Sequence, residues 1–132
     1  REVMTTLRLV QKELGASVIV IGHDMGLMAQ FTERLGVMYA GKLVEVASVR
    51  DIFNKPLHPY TQALLSSVPV PDPVLARTRE RVILEGDVPS PIDPPSGCRF
   101  RTRCPIAAEL CAEKEPVFRE AREDHWVACH FA

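Results

Sequence analysis

The period of apolar residues changes several times along the first half of the chain. Val3, Leu7, Val10 and Leu14 recur at helical spacing, with Arg8, Lys12 and Glu13 elsewhere on the wheel. This predicts an amphipathic helix over residues 1–14, stopped by Gly15. The run SVIVIG (17–22) is β-branched and apolar without alternation, the pattern of a strand buried on both faces of a parallel sheet. Asp24 is placed to cap a second helix that carries Leu27, Met28, Phe31 and Leu35 inward. Residues 36–39 and 42–46 predict two short strands around an Ala40-Gly41 turn. Ser48 then caps a short helix over 49–53, and another follows Pro59, over 60–67. Tyr60, Leu64 and Leu65 are expected to seal residues 48–67 against the sheet.

Past residue 68 the pattern gives way to proline. All 11 prolines lie between Pro56 and Pro116, and the segments PVPDP and PSPIDPPSG read as extended and turn-rich. Residues 81–85 predict one short strand and residues 106–114 one helix; no long periodic element follows Gly97. The composition therefore divides an α/β chain into residues 1–69 and a small proline-rich, cysteine-bearing piece, 70–132. There is no internal repeat. The 132 residues carry a net charge of −1, with 46% hydrophobic and 25% charged residues, the balance of an ordinary globular chain. That charge gives no electrostatic reason to expect nucleic acid as a partner, and no apolar run approaches the roughly 20 residues of a membrane helix.

The chemistry is concentrated at two places. Cys98, Cys104, Cys111 and Cys129 hold all four cysteines within the last third, spaced C-x5-C-x6-C-x17-C. Two disulfides would require an oxidising compartment. Zinc usually takes a tighter C-x2–4-C knuckle. A [4Fe–4S] cluster also takes four thiolates and accommodates wider loops. Four buried thiols of purely structural use are the plain alternative. The concentration of cysteines favours a shared metal or cluster. Arg99, Arg101 and Arg103 would offset its negative charge, or else form a solvated basic strand face. His125 and His130 flank the last cysteine, and either of them, or neither, replaces a cysteine as ligand. The other place is His23. Ligands of open α/β sheets sit at the C-terminal ends of strands, and His23 directly follows the predicted strand. A histidine that merely hydrogen-bonds in a loop is the competing reading.

The segment VIVIGHDMGLMAQFTERLGVMYAGKLVEVAS resembles the switch-histidine region of ABC-transporter ATPases: His23-Asp24, a helix, then the hairpin Val37-Met38-Tyr39-Ala40-Gly41-Lys42-Leu43-Val44-Glu45. Asp51-Ile-Phe53, the string Asn54-Lys55-Pro56-Leu57-His58-Pro59-Tyr60-Thr61, the proline-rich tail and the cysteines resemble the oligopeptide/dipeptide importer branch in particular. The resemblance implies that His23 contacts the γ-phosphate of ATP in an intact subunit, whose hydrolysis is mostly positioning and charge stabilisation. It implies that the four cysteines hold an iron–sulfur cluster, with zinc as the alternative, as a structural cross-link for a small tail.

No G-x-x-x-x-G-K-[ST] loop occurs, since Gly41-Lys42 is followed by Leu43. No Ser-Gly-Gly signature loop and no apolar strand ending in Asp-Glu occur either. The expectation is therefore the C-terminal fragment of an ABC-type ATPase sheet domain followed by an accessory domain. It would be inactive alone, while the full-length subunit uses ATP and Mg to drive uptake of oligopeptides or dipeptides. The partners implied are a second ATPase subunit and the transmembrane permeases, with a peripheral location on the cytoplasmic membrane face. There would be no direct membrane insertion, and a fragment with uncovered sheet edges would tend to self-associate. The competing reading is a free-standing metal-binding interaction module unrelated to ATP.

Overall fold

The computed structural model describes residues 2–69, 72–78, 81–90 and 92–132. Arg1, Val70 and Pro71 lie outside them, and with them the predicted helix start and the predicted boundary at 70. The order is α1 (Glu2–Leu14), α2 (Met25–Phe31), β1 (Arg34–Tyr39), β2 (Lys42–Ser48), α3 (Val49–Asn54), α4 (Pro59–Ser66), α5 (Pro73–Thr78), α6 (Glu109–Glu113), β3 (Arg119–Arg122) and β4 (His125–Val127). The chain is mixed α/β.

The helix ends follow their capping chemistry. Gly15 follows α1 with φ +62°, the left-handed position that glycine adopts without strain. The Asp24 carboxylate accepts the Leu27 N–H at 2.9 Å. Ser48 accepts the Asp51 N–H at 3.1 Å. α4 begins at Pro59, where the missing N–H is no loss, and is capped by a residue the sequence reading overlooked: His58 Nδ1 accepts the Tyr60 N–H at 3.1 Å. α2 stops at Phe31, so Leu35 belongs to β1.

The sheet has the order β1-β2-β4-β3 and every pair is antiparallel. This corrects the parallel-sheet expectation for residues 17–22. They form no strand and pair with no described strand, and Ile19 and Ile21 are 90% and 94% exposed. A strand buried on both faces needs neighbours on both sides, and the chain's own strands are engaged with one another. Residues 81–85 form no strand either. The Val82 N–H goes to the Ser66 hydroxyl at 3.1 Å and the Glu85 carbonyl to Arg103 at 3.3 Å, so side chains take the backbone groups a ladder would use. The helix predicted over 106–114 is reduced to α6, because Ala108 is extended and residues 104–108 turn around Cys104.

The β1–β2 hairpin turns at Ala40 and Gly41, φ +45° and +82°, both left-handed as a tight hairpin requires. Leu35, Val37 and Tyr39 alternate inward along β1. The register slips between Val37 and Met38, and this bulge lets two consecutive β2 residues, Val44 and Glu45, be buried together. One core cluster joins Met28, Leu35, Ala47, Ile52 and Leu65. The other joins Val37, Tyr39, Val44 and Phe100, with Tyr60 and Leu64 packed against it. Tyr60, Leu64 and Leu65 thus seal the sheet as expected. β2 pairs with β4, so hydrogen-bonded pairing crosses the compositional division at residue 70.

Candidate functional site

His23 stands at a bend between the irregular residues 17–22 and the Asp24 cap of α2. It is exposed, and no described residue hydrogen-bonds to it or stacks on it. Asp24 is occupied with the Leu27 N–H, which leaves the imidazole as the one group there with both a donor and an acceptor to offer.

The four cysteines lie in a different part of the fold, and they converge. Gly97, with φ +64°, turns the chain so that the Cys98 N–H reaches the Cys111 carbonyl at 2.7 Å. Two tight turns follow, Arg101 N–H to the Cys98 carbonyl and Arg103 N–H to the Phe100 carbonyl, at 3.1 and 3.0 Å. They bring Cys104 back beside Cys98, and both pack against the aromatic cluster. Cys111 is buried in α6, and Cys129 follows β4 by two residues. All four are free thiols. Burial pushes the Cys98 thiol up. The amide N–H of Phe100 opposes this, Cys111 and Cys129 push it further up, and the Arg101 N–H opposes again. Cys104 is also raised, first by burial, with the Ile106 N–H opposing and Cys129, Cys98 and Cys111 adding to the rise. Each of these two sulfurs therefore lies within electrostatic reach of the other three, and each has backbone donors directed at it.

Among the described residues, no set of three His, Cys, Asp or Glu side chains is gathered tightly enough to hold a metal ion. Each neighbouring histidine has one ring nitrogen bonded: His130 Nε2 meets the Lys114 carbonyl at 2.9 Å, and His125 Nε2 meets Glu45 at 2.6 Å. The three arginines fasten the loop: Arg99 donates to the Ala40 carbonyl on the hairpin, Arg101 to the Ser96 carbonyl and Arg103 to the Glu85 carbonyl.

Sequence reasoning missed the group that ties these parts together. Glu45 is wholly buried. Its Oε1 accepts the Leu57 N–H at 2.7 Å and the His125 Nε2–H at 2.6 Å, and its Oε2 accepts the His58 N–H at 3.0 Å. One carboxylate thus takes charge-assisted bonds from the α3–α4 connection and from β4. Burial holds His58 neutral, with its pKa lowered to about 4 although the Glu45 charge opposes this. The His58 ring also packs on Phe100, with ring centres 5.4 Å apart. The available signal was a lone carboxylate between two valines, with histidines elsewhere to pair with it.

Residues 44–111, from Val44 on β2 to Cys111 on α6, match the model of a family described as "Oligopeptide/dipeptide transporter, C-terminal region". The chain belongs to this family. It is also 46% identical over 129 residues, 98% of its length, to the putative oligopeptide transport ATP-binding protein YkfD of Bacillus subtilis. It is 45% identical over 98% of its length to the oligopeptide transport ATP-binding protein AppF of the same organism, and 48% identical over 97% to OppF of Haemophilus influenzae. The chain spans 39% of the length of each of these relatives. The family match covers the Glu45 carboxylate, the His58-Pro59-Tyr60 cap of α4 and the first three cysteines.

Proposed function

We propose that this chain is the C-terminal portion of the ATP-binding subunit of an oligopeptide or dipeptide importer. The carrying observation is that nearly the whole chain aligns, at 45–48% identity, with proteins named as oligopeptide transport ATP-binding proteins. In this reading His23 is the switch histidine. Its exposure, its lack of a hydrogen-bond partner among the described residues and its place beside the Asp24 cap of α2 suit a group that donates to a γ-phosphate oxygen and orients an attacking water. Phosphate and magnesium binding belong to other parts of the subunit, and turnover is a property of the whole. The subunit works at the cytoplasmic face of the membrane, beside a second ATPase subunit and the permeases. No described helix is long and apolar enough to cross a membrane. Residues 70–132 serve as its accessory tail.

The four cysteines, in the same reading, hold a [4Fe–4S] cluster. The donor set supports this: four free thiols share one neighbourhood and amide N–H groups point at two of the sulfurs, the kind of contact that tunes such clusters. Such a group would cross-link the 98–104 loop, α6 and the end of β4.

The test concerns His23. In the full-length subunit, His23→Ala is expected to lower steady-state ATP turnover by roughly 100-fold or more, the scale of losing one transition-state donor. Nucleotide affinity and melting temperature should stay close to wild type. Turnover that is unchanged, or that falls only in step with stability, would return His23 to the role of an ordinary loop residue.

A further inference from the structure

The β1–β2 hairpin and the tail together line a cavity of about 190 Å³. Tyr39, Lys42 and His58 border it from one side of the compositional division, and Arg99, Phe100 and Phe118 from the other. Two of these side chains carry polar groups that the protein leaves unpaired. His58 is 1% exposed and its Nδ1 accepts the Tyr60 N–H at 3.1 Å, so the neutral ring carries its proton on Nε2. No described residue accepts that proton. Tyr39 is 3% exposed, and its hydroxyl has no hydrogen-bond partner among the described residues. A buried donor without an acceptor is costly, and here two such residues border one cavity.

The rest of the wall defines the acceptor. Phe100 is wholly buried and lies against both rings, with centroids 5.0 Å from Tyr39 and 5.4 Å from His58. Phe118 adds a second apolar ring to the lining. The charged residues on the wall are Lys42, Arg99 and Glu115, two cations against one carboxylate and so a net of +1. Lys42 and Glu115 pair with each other. Arg99 donates to the Ala40 carbonyl, and no described residue takes the other donors of its fork. A cavity of about 150 Å³ is enough to hold benzene, so this one has room for a ring of that kind and an attached polar group.

We propose that this cavity binds a small monocarboxylate with a ring-sized or branched apolar body, its carboxylate accepting from His58 and Tyr39 beside the positive charge of Arg99 and its body packed on Phe100 and Phe118. The ligand would tie the hairpin to the tail, because residues of both line the site. The inference goes beyond the ATP-binding reading and uses neither His23 nor a metal. A plain organic acid and a free amino acid share this chemistry. They differ in an ammonium group, for which Glu115 is the carboxylate on the wall.

The test uses the full-length ATP-binding subunit without nucleotide, as wild type and as Tyr39→Phe, Arg99→Gln and Glu115→Gln. Each is titrated calorimetrically with benzoate, benzamide, acetate and phenylalanine. The wild type is expected to bind benzoate, to bind the uncharged benzamide about tenfold or more weakly, and not to bind acetate, which has no apolar body. Tyr39→Phe keeps the ring and removes only the hydroxyl. It is expected to weaken benzoate by about tenfold or more, while the melting temperature of the free subunit stays the same or rises, since that hydroxyl has no protein partner to lose. A tyrosine of purely structural use would not give that pair of results. Arg99→Gln is expected to weaken benzoate by a similar factor; if its melting temperature shows that the loop has come loose, Tyr39→Phe decides. Glu115→Gln separates the two sources: phenylalanine binding that it abolishes assigns the site to amino acids, and binding of benzoate without phenylalanine assigns it to plain acids. Absence of binding by both benzoate and phenylalanine at millimolar concentration would overturn the proposal. So would benzamide binding as tightly as benzoate, or benzoate affinity unchanged in Tyr39→Phe.

Discussion

Replacing Gly97 with alanine is expected to lower stability by about 4 kcal/mol or more and to open the cysteine loop. Two effects add. Gly97 has φ +64°, where a Cβ costs about 1–2 kcal/mol in backbone strain. The new methyl would also lie 2.3 Å from the Cys111 carbonyl oxygen and 2.8 Å from that of Ala112. Both are backbone atoms and cannot swing aside. The Cys111 carbonyl is the same group that accepts the Cys98 N–H. Relieving the clash therefore breaks that bond and leaves a half-buried donor and acceptor unpaired, at about 1–3 kcal/mol for each such group. Gly15 and Gly86 provide internal controls. They have φ +62° and +76°, but nothing lies within 4 Å of an added Cβ. Gly15→Ala and Gly86→Ala should each cost only the backbone term. Denaturant titration of the three variants separates strain from collision. If Gly97→Ala costs no more than the other two, the carbonyl contact does not constrain the loop.

The hairpin, its turn and the capped helices were legible because each is encoded by neighbours in sequence. Asp24 and Ser48 cap helices within their own three-residue reach, and Ala40-Gly41 needs only its own positive φ. The clustering of the cysteines in the last third was legible from composition alone, but among the described residues no three of them are gathered tightly enough to hold a metal ion. What the sequence hid is long-range. β3 and β4 are four and three residues long, too short for a period to register, and they exist because β2 offers a partner. Glu45 has the polar character of a solvent-facing strand residue; only the slip at Val37/Met38 and the two amides beyond α3 show it to be buried. The arginines of the cysteine loop looked like charge compensation, yet their donors go to carbonyls as distant as Ala40 and Glu85. The 17–22 run failed in the opposite sense. Its composition is that of a buried strand, but composition does not supply the strands that must flank it.

Acidification should act on the fold through His58 before it acts through carboxylates. His58 is 1% exposed, accepts the Tyr60 N–H on Nδ1 and packs on Phe100, so burial holds its pKa near 4 against an unfolded value of 6.5. Above pH 6.5 the ring is neutral in both states and the folded chain keeps its full stability. As pH falls through 6.5 the unfolded chain takes up a proton that the folded chain refuses, and stability declines until the folded ring titrates near pH 4. A gap of this size corresponds to about 3 kcal/mol. Asp51 works in a lower window. Its carboxyl is held below 3.8, chiefly by the Ser48 hydroxyl, so its contribution is present above that value and is lost only in stronger acid. The measurement is urea-unfolding free energy from pH 7.5 to 4 for the wild type and His58→Asn. Asparagine is a good N-cap and can still accept the Tyr60 N–H, but it does not titrate. The wild-type curve is expected to fall about 3 kcal/mol further than the variant's across that range. Parallel curves would mean that His58 takes up its proton in the folded chain as readily as in the unfolded one, and that its burial beside Glu45 carries no pH-dependent cost.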